Sequence, residues 1–262
     1  MATHALDDAR PVRHGGPVRA IVRGSAVVVT TAFFYALLVT GRVFGGKDPW
    51  TQGMFRAWAR ALLRILGVRL HVVGAPPPTP YLLVSNHLSY LDVLVLAAVA
   101  RPVFISRSDV KDWPFVGRLT KSVGTILIDR GLKTDVARVT KEIEDRLGRG
   151  LGVVLFAEGT STDGTDVLPF KSSLLAPVSR AGRPAHYASL AYETPEGAPP
   201  ARDAVCWWGD MEFGPHLRGL LALPRIDAHV TFGHESITSP DRRALAEELW
   251  QAVRKQHRPP SR

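Results

Sequence analysis

The stretch "SNHLSYLDVLVLAAVA" (85–100) sets Asn86, His87, Ser89 and Asp92 within eight positions, directly ahead of an unbroken apolar run. The run predicts a helix whose amino terminus lies near Ser89, where unpaired backbone N–H groups gather. His87 then falls just outside that helix and Asp92 in its first turn, so the carboxylate can fold back onto the imidazole. An Asp that fixes the tautomer of a His and stabilises its cation makes an oriented general base. Two further segments, "IDRG" (128–131) and "AEGTST" (157–162), end expected strands in uncommon polar residues. Ligands of open α/β sheets bind beyond the carboxyl ends of strands, so these three loops are expected to meet at one site. Each motif alone is weak in a chain with nine His; their joint occurrence carries the inference. Asn86 reads as a local scaffold for the turn.

The elements that must position them begin after a stiff connector, "GAPPPTP" (74–80), where short apolar runs start to alternate with helical stretches. Strands are expected at 81–86, 102–107, 124–130, 152–159, 185–193, 203–210 and 225–233, and helices at 90–100, 109–121, 133–148, 212–223 and 239–256. The last takes Ser239 as its N-cap and Pro240 as its first residue, with Leu245, Leu249, Trp250 and Val253 inward. Such alternation implies an α/β fold with a single mixed, largely buried sheet flanked by helices.

Ahead of the connector, "GSAVVVTTAFFYALLVTG" (24–41) is uncharged and flanked by Arg23 and Arg42, close to the length that spans a bilayer. No small-residue cleavage site follows, which argues against a removable signal. Residues 52–70 then put Phe55, Trp58, Leu62, Leu63, Ile65 and Leu66 on one helical face while Arg56, Arg60 and Arg64 recur every four positions, the pattern of a basic interfacial helix. Residues 1–70 hold ten Lys and Arg against three acids, most of the net charge of +9. Anionic lipid fits this better than nucleic acid, since the arginines interleave with an apolar face and no reader motif is present. Charge on both flanks leaves the orientation of a single span open. A monotopic or re-entrant helix pair at the cytoplasmic face satisfies both flanks, and a buried core helix is the alternative. The expected organisation is a basic segment (1–23), a membrane-associated helix pair (24–73) and a catalytic domain (74–262). Cys206, the single cysteine, excludes an intrachain disulfide and points to a reducing compartment; no metal-ligand pattern is present.

The chain resembles the glycerolipid acyltransferases of the lysophosphatidate acyltransferase type. That family carries N-H-x-x-x-x-D, G-x-x-F-I-D-R and F-P-E-G-T-R-S in this order, here "NHLSYLD" (86–92), "GTILIDR" (124–130) and "FAEGTST" (156–162). The resemblance covers about residues 75–235 and implies a membrane-seated N-terminal helix pair. It also implies that Gly159 allows close backbone approach while Glu158 and Thr160 hydrogen-bond the acceptor head group. Ala157 stands in place of Pro and Leu127 in place of Phe. Ser161 occupies the position of an Arg that the family is thought to use on the acceptor's phosphate. Arg107, Arg130 and Lys171 are the candidate replacements for that cation.

Acyl transfer from a thioester to an alcohol needs a base for the hydroxyl, and the thiol leaves with little acid help. His87 with Asp92 supplies the base, and no G-x-S-x-G elbow for a serine acyl-enzyme is present. The expected function is therefore a membrane-associated acyltransferase without a bound cofactor. It would take an acyl group from acyl-CoA or acyl-carrier protein to a lysolipid. Lysophosphatidate comes first as the commonest substrate of the family; the phrase "EGTSTDGTDVLPFKSSL" keeps lyso-ornithine lipid open as the alternative. A non-catalytic domain that binds anionic membranes is the reading from another class.

Overall fold

The computed structural model describes residues 16–112, 116–129 and 133–260. Two helices open the chain, α1 (Pro17–Val43) and α2 (Asp48–Leu66). They are followed by β1 (Val68–Val73), β2 (Tyr81–Ser85), α3 (Leu91–Ala100), β3 (Pro102–Arg107), α4 (Val116–Ser122), β4 (Ile126–Ile128), α5 (Lys133–Gly148) and β5 (Gly152–Phe156). The remainder comprises α6 (Ala176–Arg180), β6 (Ala185–Glu193), α7 (Ala201–Ala204), α8 (Phe213–Ala222), β7 (Ile226–Phe232) and α9 (Arg242–Gln256). The strands form one seven-stranded sheet in the order β1-β7-β6-β2-β5-β3-β4. All neighbours are parallel except β6 and β7, so the mixed sheet read from the sequence is what forms.

Burial explains the strand composition. Every residue of β2 and β5 is buried, because helices cover both faces of the central sheet. On one face α3 lies inside a core with Leu83, Val154, Leu190 and Phe232; on the other, α5 and α9 cover Leu82, Val153 and Leu155. β2, β3, β4, β5 and β6 run the same way, so their carboxyl ends line one edge. The turns after β2 and β5 and the end of β4 carry the described parts of the three motifs to that edge.

Four segments depart from the sequence reading. The amphipathic segment is helical only to Leu66, because Gly67 adopts a left-handed conformation (φ 73°) and reverses the chain into β1. The strand expected at 203–210 is instead α7 and an irregular segment: Trp207 N–H donates to Leu88 O outside any ladder, and the Trp207 and Trp208 indoles donate to Met211 O and Arg202 O. The helix expected over 109–121 is a 3₁₀ turn (Ser108–Asp112) and then α4. At α9 the N-cap is Asp241, whose carboxylate accepts from Arg243 and Ala244 N–H at 2.6 and 2.9 Å. A carboxylate reaching two orphan amides outcompetes the Ser-Pro start.

The apolar segment belongs to α1, whose 27 residues make it long and apolar enough to cross a membrane. It leaves Val18, Ile21, Val28, Val29 and Phe33 exposed. It packs along α2, where Trp58 Nε1 donates to Thr31 Oγ1 at 3.1 Å. Arg19 and Arg23 donate to carbonyls of Ala222 and Leu223 at the end of α8. α2 is no loose appendage: Phe55, Ala59, Leu62, Leu63 and Leu66 are buried.

Candidate active site

β2 ends at Ser85, and Asn86 finishes the pairing that the strand leaves open. Its amide donates to Leu190 O at 2.9 Å and accepts from Leu190 N–H at 2.7 Å, standing in for a backbone partner of β6. This frees the chain to turn sharply at His87. The turn is then held by Asp92, on the first turn of α3. Its Oδ2 accepts from His87 Nδ1 at 2.7 Å, Leu88 N–H at 2.7 Å and Ser89 N–H at 3.0 Å, and its Oδ1 accepts from the Tyr192 hydroxyl at 2.6 Å. Asp92 is wholly inaccessible to solvent, yet it has four donors, which is how a buried carboxylate is sustained. With Nδ1–H donating to Asp92, Nε2 of His87 is left as a proton acceptor. The imidazole lies flat on Phe156, with ring centroids 4.1 Å apart, so both its position and its plane are fixed.

Glu158 is placed differently from what the resemblance implies. It is buried, and its two oxygens accept from His87 N–H at 2.6 Å and Leu168 N–H at 2.9 Å. Its carboxylate therefore ties the His87 turn to the loop that follows β5. Burial pushes its pKa up to about 7, against the opposing effect of the two amide donors. A folded-state pKa above the usual 4.5 means that the native state holds the proton more tightly, so stability is greatest below the unfolded value. Stability is expected to fall by about 3 kcal/mol as pH rises from about 4.5 to about 7 and to level off above. Melting curves of wild type and Glu158→Gln across that range isolate this contribution, and an unchanged pH slope in the variant would contradict it.

Of the other expected site residues, Gly159 and Lys171 come together. Gly159 sits at φ 78°, and a side chain there would meet Lys171 Nζ at 2.6 Å, so the glycine allows the ammonium to lie over the turn. The two line a cavity of about 190 Å³ together with Ile105, Ile128, Leu155 and Leu174. Thr160 is exposed, and its hydroxyl donates to Ser161 O at 3.4 Å. Arg107 is exposed and paired with Asp109 at 3.0 Å, which leaves it a surface ion pair rather than a free anion ligand. Arg130 lies outside the described residues.

Tyr192 and Phe156 were not singled out from the sequence. Tyr192 meets Asp92 across 100 residues, and no local pattern encodes that contact. Ser161 also has an unforeseen partner: its hydroxyl donates to Trp207 O, while Trp207 N–H donates to Leu88 O. The segment after α7 is thereby sewn to both motif loops.

The acyltransferase family model matches residues 69–188. Lyso-ornithine lipid O-acyltransferase of Brucella abortus is 37% identical over 221 residues, covering 79% of this chain and 83% of that protein. The chain belongs to the acyltransferase family. The protein of the same name from Rhodobacter capsulatus is 34% identical and covers 94% of this chain and 92% of its own. The 1-acyl-sn-glycerol-3-phosphate acyltransferase of Neisseria meningitidis is 28% identical, covering 74% of this chain and 77% of that protein. The crystal structure of a Thermotoga maritima 1-acyl-sn-glycerophosphate acyltransferase superposes with a TM-score of 0.65 at 16% identity, covering 91% of this chain and 96% of that one. That likeness is one of fold. Within the acyltransferase family, then, this enzyme carries the His-x-x-x-x-Asp pair at the carboxyl end of β2 with the second and third motifs on the same sheet edge.

Proposed function

We propose that this acyltransferase moves a fatty acyl group from an acyl thioester to the free hydroxyl of a lysolipid, with lyso-ornithine lipid as the acceptor. The observation that carries the chemistry is the His87 Nδ1 to Asp92 contact at 2.7 Å, which leaves Nε2 free to act as the base. His87 takes the hydroxyl proton as the acceptor oxygen attacks the thioester carbonyl, and Asp92 stabilises the imidazolium that forms. Collapse of the tetrahedral intermediate breaks the carbon–sulfur bond, and the thiolate recovers the proton from His87. The cavity lined by Ile105, Ile128, Leu155 and Leu174 suits an acyl chain, and Lys171 adds an ammonium to the same lining. α1 and the interfacial face of the helix pair seat the enzyme on the membrane that holds the acceptor, at its cytoplasmic face. Acyl-CoA and acyl-carrier protein are both suitable donors.

Ser161 supports this order of acceptors. The hydroxyl that replaces the family's Arg is spent on Trp207 O, so that position supplies no cation for a phosphate monoester. The resemblance to two lyso-ornithine lipid O-acyltransferases points the same way. Lysophosphatidate is the second reading, favoured by the exposed Lys171 ammonium over Gly159 and by the Neisseria relative. Competition between the two acceptors tests the choice. Wild type is expected to prefer lyso-ornithine lipid, and Ser161→Arg to shift the ratio toward lysophosphatidate by about tenfold or more, the worth of one charge-assisted contact. Preference for lysophosphatidate in both proteins would reverse the assignment.

A further inference from the structure

The end of α9 lies against the loop that follows β5. Trp250, Arg254 and His257 fall on one helical face, at steps of four and three. Trp250 Nε1 donates to Val167 O at 2.9 Å, and His257 Nε2 donates to Gly164 O at 2.7 Å. Arg254 spans the carboxylate of Asp166, with Nε at 2.9 Å and a terminal nitrogen at 2.7 Å. That ion pair is exposed and contributes little. The hold therefore rests on the carbonyls of Gly164 and Val167, both buried residues. α9 is itself fixed: Leu245, Leu249 and Val253 are buried in the core, and Gln256 Nε2 donates to Thr231 O of β7 at 2.9 Å.

The same loop holds both backbone groups of His87. Gly164 N–H donates to Thr162 Oγ1 at 3.3 Å, and Thr162 N–H donates to His87 O at 3.0 Å. Next to Val167, Leu168 N–H donates to Glu158 Oε2 at 2.9 Å, and Glu158 Oε1 accepts from His87 N–H at 2.6 Å. A third path is direct packing. Gly164 (φ 80°) is so closely enclosed that a side chain there would meet Pro260 at 2.9 Å and Leu88 at 3.2 Å. His257 spends its ring on this arrangement alone: its Nδ1 is buried without a partner among the described residues, which costs stability.

We propose that His257 and Trp250 are positioning residues for acyl transfer, which set the backbone of the His87 turn through loop 162–168. The inference rests on His87 as the base. Asp92 and Phe156 orient the imidazole, whereas the loop fixes where the backbone that carries it stands. A general base works only within hydrogen-bond reach of the proton it takes, and a displacement of about 1 Å can cost about a hundredfold in rate. Loss of either bond from α9 frees the loop to drift and moves His87 with it. A base displaced in this way lowers kcat and leaves acceptor KM in place.

The test compares variants of the full chain in detergent, well below every Tm. It reads kcat and acceptor KM with radiolabelled acyl-CoA and whichever of lyso-ornithine lipid and lysophosphatidate wild type prefers. His257→Leu and Trp250→Phe are each expected to lower kcat by about ten- to a hundredfold, with acceptor KM within about threefold of wild type. His257→Gln should recover kcat to within about threefold of wild type, since its amide N–H can reach Gly164 O. Ser179→Ala is the structural control. It removes a bond of 2.8 Å to Pro240 O, just ahead of α9 and away from loop 162–168, so it should lower Tm and keep wild-type kcat. His87→Ala, run alongside, tells the two readings apart. If it abolishes transfer while His257→Leu and Trp250→Phe keep wild-type kcat, the positioning role is overturned and the base stands; if His87→Ala keeps wild-type kcat, both fall. A kcat loss in Ser179→Ala equal to that in His257→Leu, or no recovery in His257→Gln, also overturns the proposal.

Discussion

Replacing His87 with Ala is expected to lower acyl transfer by about 10²- to 10⁴-fold, the range that a positioned general base supplies, with the protein still folded and membrane-bound. The structure gives reasons for both halves of this expectation. The imidazole is oriented by the 2.7 Å contact to Asp92 and by stacking on Phe156, and Nε2 has no competing partner among the described residues. The turn itself does not depend on the ring. The backbone N–H of residue 87 still donates to Glu158, and Asp92 keeps its contacts with Leu88, Ser89 and Tyr192. Product formation from radiolabelled acyl thioester, set beside the melting temperature, separates the two. Activity within tenfold of wild type at unchanged Tm would sink the base assignment, and the loss should fall on kcat rather than on acceptor KM.

Asp92→Ala should behave differently, because this carboxylate supports the fold as well as the base. Its removal strips an acceptor from two backbone amides and from the buried Tyr192 hydroxyl. Each buried donor left unpaired costs about 1–3 kcal/mol, partly offset by relief from burying a charge, so a net loss of about 3 kcal/mol is expected. In a chain of this size that is a fall in Tm of about 6–12 °C. Activity should fall at least as far as in His87→Ala, since the imidazole loses its tautomer control together with the turn. Tyr192→Phe is the milder change: it strips the donor from the buried Asp92 Oδ1 but leaves the three contacts to Oδ2, so it should cost about 1.5–3 kcal/mol while the His87 contact stands. A stable Asp92→Ala protein would show that the turn is held by other means. The contrast between His87, which can be removed from a standing site, and Asp92, which cannot, is the sharper test of the arrangement.

What lay in the amino-acid order was much of what depends on local chemistry. The apolar run after Asp92 encodes α3 and thereby sets a carboxylate one turn from His87, because a helix start fixes neighbours in space as well as in sequence. The continuous apolar runs of β2 and β5, alternating with helical stretches, announced a sheet covered on both faces. α1 was legible from length and hydropathy alone. Two of the misses were local caps, Gly67 ending α2 and Asp241 starting α9; in others a non-local partner overrode a local preference. The segment 203–210 has the composition of a strand, yet Trp207 found Leu88 O and Ser161 before it found a neighbouring strand. Val68–Val73 continues the apolar pattern of α2, yet it pairs with β7 more than 150 residues away. Glu158 has the motif position of a ligand-binding residue, but burial and two amide donors turn it into a brace. The Tyr192 contact with Asp92 arises only when strands and helices distant in sequence are packed together. Spacing along a chain determines which groups can share a turn or a helix face, whereas close packing in three dimensions decides which of them face substrate and which hold the others still.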